Sequence, residues 1–208
     1  MQYRAATEDE YILAENADNQ QYGEHIRIAR EDVWLDIGAH IGAFAVQIAP
    51  YVAGVYCFEP EHENFGLLMQ NIRRLDNTRC YLAAVVGTQT RGRRLHVYGQ
   101  GKTSWHSLVD KPPYERTVYV GCLDIRTVLD LSHANSIKLD VEGLEFEILM
   151  AVEGYADIEQ IVFEWHPHLA GEENFTPLMK RLSQDFPYTW VKHREGEKNT
   201  LVTVRKFL

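Results

Sequence analysis

The stretch Ile137-Lys138-Leu139-Asp140-Val141-Glu142-Gly143 constrains this chain more than any other. An apolar run ends in two carboxylates and a glycine, and the helical pattern Leu144-Glu145-Phe146-Glu147-Ile148-Leu149 follows immediately. That order reads as a strand leading into a helix, and in an open α/β sheet the carboxyl ends of the strands form the ligand crevice. Asp140 and Glu142 are therefore expected to project from a strand tip into the functional face.

The same rhythm runs through most of the chain. Val33-Trp34-Leu35-Asp36-Ile37 is a short apolar run ended by Gly38, and Ile41, Ala45, Ile48 and Ala49 follow at near-helical spacing. Residues 55–59 read as the next strand, residues 64–75 as a helix with Phe65, Leu68, Met69 and Ile72 on one face, and residues 81–86 as a third strand. Between Gly87 and Gly121 the rhythm changes: two short strands, 95–98 and 117–120, flank a loop rich in Gly, Lys, Ser and Pro, and 87–121 is expected to be a substrate-facing insertion. A helix over 123–131, a strand over 136–140, a helix over 144–152, a strand over 161–164 and a helix over 175–182 come next. Strands at 188–191 and 201–204, joined by a charged turn at 193–199, form a closing hairpin that adds an antiparallel strand to a mainly parallel sheet.

The 208 residues suffice for one domain with a real core and are too few for two of ordinary size. Hydrophobic residues at 45% and charged ones at 25% fit a soluble globular protein. No apolar run approaches the ~18 residues of a spanning helix, and no basic-then-apolar leader opens the chain, so the expected address is the cytoplasm. A net charge of −9 argues against a nucleic-acid surface, which requires clustered Lys and Arg. The short basic group Arg91, Arg93, Arg94 and Lys102 reads as a solvated face rather than an anion site. Cys57, Cys80 and Cys122 lie far apart within apolar runs and fit reduced core thiols.

Four landmarks in order carry a family resemblance: Leu35-Asp36-Ile37-Gly38-Ala39-His40-Ile41-Gly42, Phe58-Glu59-Pro60 with Asn64, the Asp140-Val141-Glu142-Gly143 stretch, and Glu164-Trp165-His166-Pro167. From about residue 33 to 167 the chain resembles the FkbM-type methyltransferases. The resemblance implies a Rossmann-like α/β fold with a mainly parallel central sheet, helices on both faces and an antiparallel C-terminal strand. It also implies S-adenosylmethionine as cofactor and methyl transfer as the reaction. His40 departs from the family pattern, which usually has Asn there, and brings a group that can change charge near neutral pH.

The residues make that implication chemically coherent. Gly38 and Gly42 permit a tight turn and a close approach of backbone to ligand, and Glu59 ends the second strand where an acid grips ribose hydroxyls. Their GxxxG spacing, rather than GxGxxG, favours S-adenosylmethionine over a dinucleotide whose pyrophosphate needs bare helix N–H groups. The expected cofactor set is Asp36, Gly38, His40, Gly42, Glu59 and Pro60, with Ala84 and Val85 against the adenine as in related folds. For the transfer itself the protein mainly aligns the acceptor and manages its proton. Asp140 is the first candidate, Glu142 the second unless it caps the next helix, and His166 the third.

Glu164, His166 and His168 share one side if the extended run persists through Pro167. A divalent metal is possible but not favoured, and its ligands would be Asp140, Glu164 and His166. Ser104, Trp105 and His106, with Glu164, are the candidate acceptor contacts, since an aromatic face beside small hydroxyls suits a sugar ring. The reading is an O-methyltransferase acting on a small or glycan hydroxyl. Its rivals are a nucleic-acid or protein methyltransferase and a non-catalytic cofactor-binding subunit. Oligomeric state is not legible.

Overall fold

The computed structural model describes residues 1–17, 25–99, 101–193 and 199–207. After helix α1 (Glu8–Ala17), the chain alternates β1 (Val33–Ile37), α2 (Ala43–Ile48), β2 (Gly54–Phe58), α3 (His62–Ile72) and β3 (Thr78–Tyr81). Strands β4 (Ala84–Val86), β5 (Gly92–Val97) and β6 (Arg116–Asp124) follow, then α4 (Ile125–Ser132), β7 (Ser136–Leu139), α5 (Glu145–Ala151) and β8 (Gln160–Trp165). The short α6 (Pro167–Ala170), α7 (Phe175–Leu182), β9 (Tyr188–His193) and β10 (Thr200–Arg205) complete it. Among the described residues no helix is long and apolar enough to cross a membrane.

Seven strands form one sheet in the order β3-β2-β1-β7-β8-β10-β9. The five strands from β3 to β8 are parallel, and β10 pairs antiparallel with both β8 and β9. This is the sheet expected from the sequence, down to the antiparallel strand supplied by the closing hairpin. The charged turn expected at 193–199 lies mostly outside the described residues. Along β1 the alternation of side chains decides which layer each residue joins. Leu35 and Ile37 enter the core beneath α4, α5 and α7 with Ile137, Leu139, Ile148 and Phe163. Trp34 enters the opposite layer with Phe44, Ile48, Leu68 and Ile72 of α2 and α3. Asp36 therefore points to the α2/α3 side, where its register partner is Lys138.

Three expectations about elements are corrected. Residues 81–86 are not one strand: β3 ends in the main sheet at Tyr81, paired with Phe58, and β4 begins in a second sheet at Ala84, paired with Cys122. The chain changes sheets at Leu82–Ala83, which an apolar run cannot announce. Helix α4 starts at Ile125 rather than 123, because Asp124 caps it by accepting hydrogen bonds from the Thr127 N–H and hydroxyl. Met69 is exposed, and the buried stripe of α3 is Asn64, Leu68 and Ile72 at i, i+4, i+8.

The segment between Gly87 and Gly121 does form a distinct layer: β5 and β6 pair antiparallel, and β4 joins β6 in parallel. In the basic group, Arg93 makes a two-pronged ion pair with Glu147 of α5 at 2.8 and 2.9 Å. It clamps this layer to the main sheet. Cys57 is buried and Cys80 and Cys122 half-buried, all as free thiols.

The β1–α2 turn depends on glycine at one place above all. Gly38 has φ +76, and a Cβ there would lie 1.7 Å from the Asp140 carbonyl oxygen. Gly38→Ala should therefore destabilise the protein by at least ~2 kcal/mol, the combined scale of left-handed strain and a backbone clash, read as a lower urea midpoint at unchanged slope.

Candidate active site

The sheet order reverses between β1 and β7, since the chain runs outward through β2 and β3 and then returns to the other side of β1. A crevice must open at the strand tips on either side of that reversal. The structure has a cleft there, lined on the β1 side by Gly38, Ala39, His40, Glu59 and Asn64 and on the β7 side by Lys138, Asp140 and Glu142. Ala84, Val85, Leu95, Ser104, His106 and Leu108 close it from the second sheet and its loop.

The floor rests on Lys138, whose role the sequence pattern did not reveal. Its Nζ lies 3.1 Å from Asp36 Oδ1 and donates to the Gly38 carbonyl at 2.6 Å. Burial opposes an ammonium here, but the Asp36 carboxylate, and then Asp140, hold the lysine above its usual range. Asp36 lies beneath Lys138 and does not line the cleft. Gly42 does not line it either: with φ +86, its missing Cβ makes room for Leu68 Cδ1, which would be 2.6 Å away.

Glu59 follows β2 and is buried. Its Oε2 accepts from the His40 N–H and its Oε1 from the Glu61 N–H, both at 2.9 Å. Burial pushes its pKa up to about 7 against those bonds. The His40 ring lines the cleft with φ +50, and neither ring nitrogen makes a hydrogen bond among the described residues. Burial carries it down to about 4 against the pull of Asp9, so it is neutral at pH 7.

At the other end a single imidazole gathers four carboxylates. His166 Nδ1 is 2.8 Å from Glu145 Oε1, and its Nε2 is 3.5 Å from Glu142, 3.9 Å from Asp140 and 4.0 Å from Glu164. Burial alone would lower the His166 pKa, yet Glu142 and Glu145 raise it well above the ordinary value. Glu142 is held at φ +52 by the turn, whose Gly143 N–H donates to Glu145 Oε1 at 3.1 Å. Its carboxyl pKa is raised, because burial outweighs His166. Donor atoms of Asp140, Glu164 and His166 all lie within 4.8 Å of one another. The extended run stops at Trp165, because α6 begins at Pro167, so His168 leaves this group.

Of the residues read from sequence, Gly38, His40, Glu59, Pro60, Ala84, Val85, Ser104, His106, Asp140 and Glu142 share the cleft wall. His166 and Glu164 sit behind Asp140 and Glu142, with His166 only 1% exposed. Trp105 is 46% exposed outside the cleft, with the Lys102 ammonium 4.2 Å from its ring centre. Three residues were given no site role from the sequence, although Asn64 stood among the family landmarks: Lys138, Asn64 and Glu145. Each left a signal, namely a polar group inside an otherwise buried strand or helix stripe.

Residues 36–190 match the family described as the Methyltransferase FkbM domain, and the chain belongs to that family. No curated protein sequence matches it. Its fold is similar to a crystal structure of methyltransferase FkbM from Methylobacillus flagellatus, with TM-score 0.63 and 14% identity over 88% of this chain. The chain spans 46% of that structure's length. An rRNA methylase from Streptococcus thermophilus aligns over 100% of this chain and 99% of its own, at TM-score 0.55 and 12% identity. A methyltransferase described as putative from Streptococcus mutans, in complex with SAH, aligns over 100% of both chains at TM-score 0.54 and 10% identity.

Glu59 yields a test of this electrostatic picture. Its pKa in the fold, about 7, lies above the 4.5 of the free side chain, so the folded state binds the proton more tightly. Stability contributed by the neutral acid is therefore present below about pH 4.5 and lost as pH rises toward about 7. The unfolding midpoint of the unmodified protein should fall relative to Glu59→Gln across that window and run parallel to it above, as followed by circular dichroism in matched buffers.

Proposed function

We propose that this chain is an S-adenosylmethionine-dependent O-methyltransferase acting on a hydroxyl of a small or carbohydrate acceptor. The observation that carries the reading is one cleft with two chemistries: Gly38, His40 and Glu59 at one end, Asp140 and Glu142 at the other. The residues fit the cofactor. Glu59 keeps lone pairs for two ribose hydroxyls, and the His40 ring lines the cleft with its Nδ1 making no hydrogen bond among the described residues. Ala84 and Val85 offer an apolar wall for an adenine. The Streptococcus mutans relative, whose described complex contains SAH, supports the same assignment.

When bound, S-adenosylmethionine supplies a methyl carbon already activated by its sulfonium. The chain's own work is alignment and proton management. Asp140, 26% exposed on its side chain, is the carboxylate positioned to take the acceptor hydroxyl's proton. Glu142 lies beside it and His166 backs both, balancing their charge from beneath. Ser104 and His106 on the opposite wall offer hydrogen bonds to a hydroxylated acceptor, while Trp105 would reach it only at the mouth. The acidic cleft and the net charge of −9 weigh against phosphate-rich acceptors such as the substrate class of the rRNA methylase relative.

A second reading rests on the donor set of Asp140, Glu164 and His166. Two carboxylates and an imidazole suit a divalent cation, whose chemistry would be Lewis-acid polarisation of the acceptor oxygen. Exhaustive chelation separates the two: it leaves turnover unchanged under the first reading and abolishes it, with recovery on adding Mg²⁺ or Mn²⁺, under the second.

With labelled cofactor and a panel of sugars, phenols and oligonucleotides, label should pass to hydroxylated small molecules; transfer to oligonucleotides alone would refute the acceptor class. Asp140→Asn should leave affinity for S-adenosylhomocysteine within about twofold and lower kcat by about 10²–10⁴, the range expected of a proton-transfer group. Undiminished kcat in that folded variant would remove Asp140 from the role.

A further inference from the structure

Asp9, in the first turn of α1, is an acid with 0% exposure. A buried carboxylate is tolerated only when its oxygens are satisfied, and these are. Oδ2 accepts from the Arg4 N–H at 2.9 Å and Arg4 Nε at 3.0 Å, while Oδ1 accepts from Arg4 Nη2 at 3.1 Å and the Thr103 hydroxyl at 2.7 Å. The same Oδ1 lies 3.4 Å from His40 Nε2. One side chain thus joins three segments distant in sequence: the N-terminal residues, the β1–α2 turn and the loop of the second sheet.

Neighbouring contacts follow the same path. The Glu8 N–H donates to the Gly101 carbonyl at 3.1 Å, and Ser104 Oγ donates to Glu8 Oε2 at 2.6 Å. Arg4 Nη2 donates to Asn64 Oδ1 at 2.6 Å, and Asn64 Nδ2 donates to the Thr103 carbonyl at 3.0 Å. Ile12, one turn beyond Asp9, lines the cleft. Both arms of the network lead to Glu59: His40 donates to it through its backbone N–H, and the Asn64 side chain favours its carboxylate form. The family match begins only at residue 36, so none of this strap belongs to the matched region.

We propose that residues 4–12 form a strap completing the cofactor end of the cleft, in which Asp9 is a positioning residue for Glu59, acting through His40 and through Arg4 and Asn64. The strap places Ile12 on the cofactor side and ties it to the loop bearing Ser104 and His106, so that cofactor and acceptor walls are set together. The proposal rests on the reading that Glu59 holds the cofactor ribose.

Calorimetry with S-adenosylhomocysteine on full-length variants, with thermal unfolding alongside, tests it. Asp9→Ala should weaken binding about tenfold, the loss of roughly one net hydrogen bond, and Asp9→Asn should weaken it as well, because its one oxygen can keep Arg4 Nη2 and Thr103 while its amide NH2 then faces the Arg4 N–H and Nε donors. Ile12→Ala should also weaken binding with little change in unfolding. A role confined to folding would lower the unfolding midpoint of Asp9→Ala and leave the affinity of the folded protein intact, and affinity within twofold of the unmodified protein overturns the proposal. Should Asp9→Ala fail to fold, Thr103→Val removes one latch bond with little change of shape and is read by the same criterion. Glu59→Ala separates the two ideas. If it weakens binding and the latch variants do not, the strap alone falls; if none of them does, the cofactor assignment falls first.

Discussion

The cleft depends on one buried contact, the pair between Asp36 of β1 and Lys138 of β7. These residues are direct register partners across the two strands between which the sheet reverses. A buried pair gains little over an apolar one, but losing one partner strands the other charge, at a penalty of ~3–5 kcal/mol. Lys138 also donates to the Gly38 carbonyl, and Gly38 in turn packs without a side chain against the Asp140 carbonyl. The turn that would hold a cofactor and the tip that carries the candidate base are thereby fixed to one another through a few atoms.

From that contact the rest of the site follows by layers. Gly38 and Ala39 donate their N–H groups to the Phe58 carbonyl at 2.9 and 3.0 Å, which brings the end of β2, and hence Glu59, alongside the turn. On the other side the Asp140 N–H donates to the Ile37 carbonyl at 3.0 Å, extending the β1–β7 pairing past the formal end of β7. Glu145 then closes the turn from inside, bonding both Gly143 and His166 with one oxygen. The tips of β7 and β8 are joined by side chains where no backbone ladder reaches.

Much of this was legible in the sequence because parallel strands buried on both faces are written as short apolar runs, and the residue that ends each run is the one at the tip. Glu59 and Asp140 were found that way. The split between β3 and β4 was not legible, since a run of apolar residues is the same whether it stays in one sheet or crosses to another. Nor was the helical turn that begins at Pro167 and carries His168 away, because Pro at the first turn of a helix and Pro in a strand edge look alike until the chain direction is known. Trp105 was read as an acceptor contact from its place in the insertion beside small hydroxyls, and its ring is half exposed outside the cleft with the Lys102 ammonium over it. Lys138 shows the converse: a charge inside a strand buried on both faces is informative because it must have a partner, and the partner lay one strand away and about a hundred residues back, beyond any local pattern.

The charge distribution links the site to the chain as a whole. Lys138 is the ammonium nearest the cleft, and Asp36 neutralises it from below; His40 and His106 are both driven to about 4 by burial and carry no charge at neutral pH. What remains facing the cleft is rich in carboxyls: Glu59, with its pKa of about 7 only partly ionised at neutral pH, at one end and Asp140 with Glu142 at the other, with His166 offsetting part of the second group. Such a field favours a cationic ligand and tolerates a neutral polyhydroxylated one. It opposes a phosphate at either end, and the low dielectric of a buried cleft strengthens that opposition. A sulfonium cofactor and an uncharged acceptor satisfy the same field, which is why the proposed pair needs no basic groove.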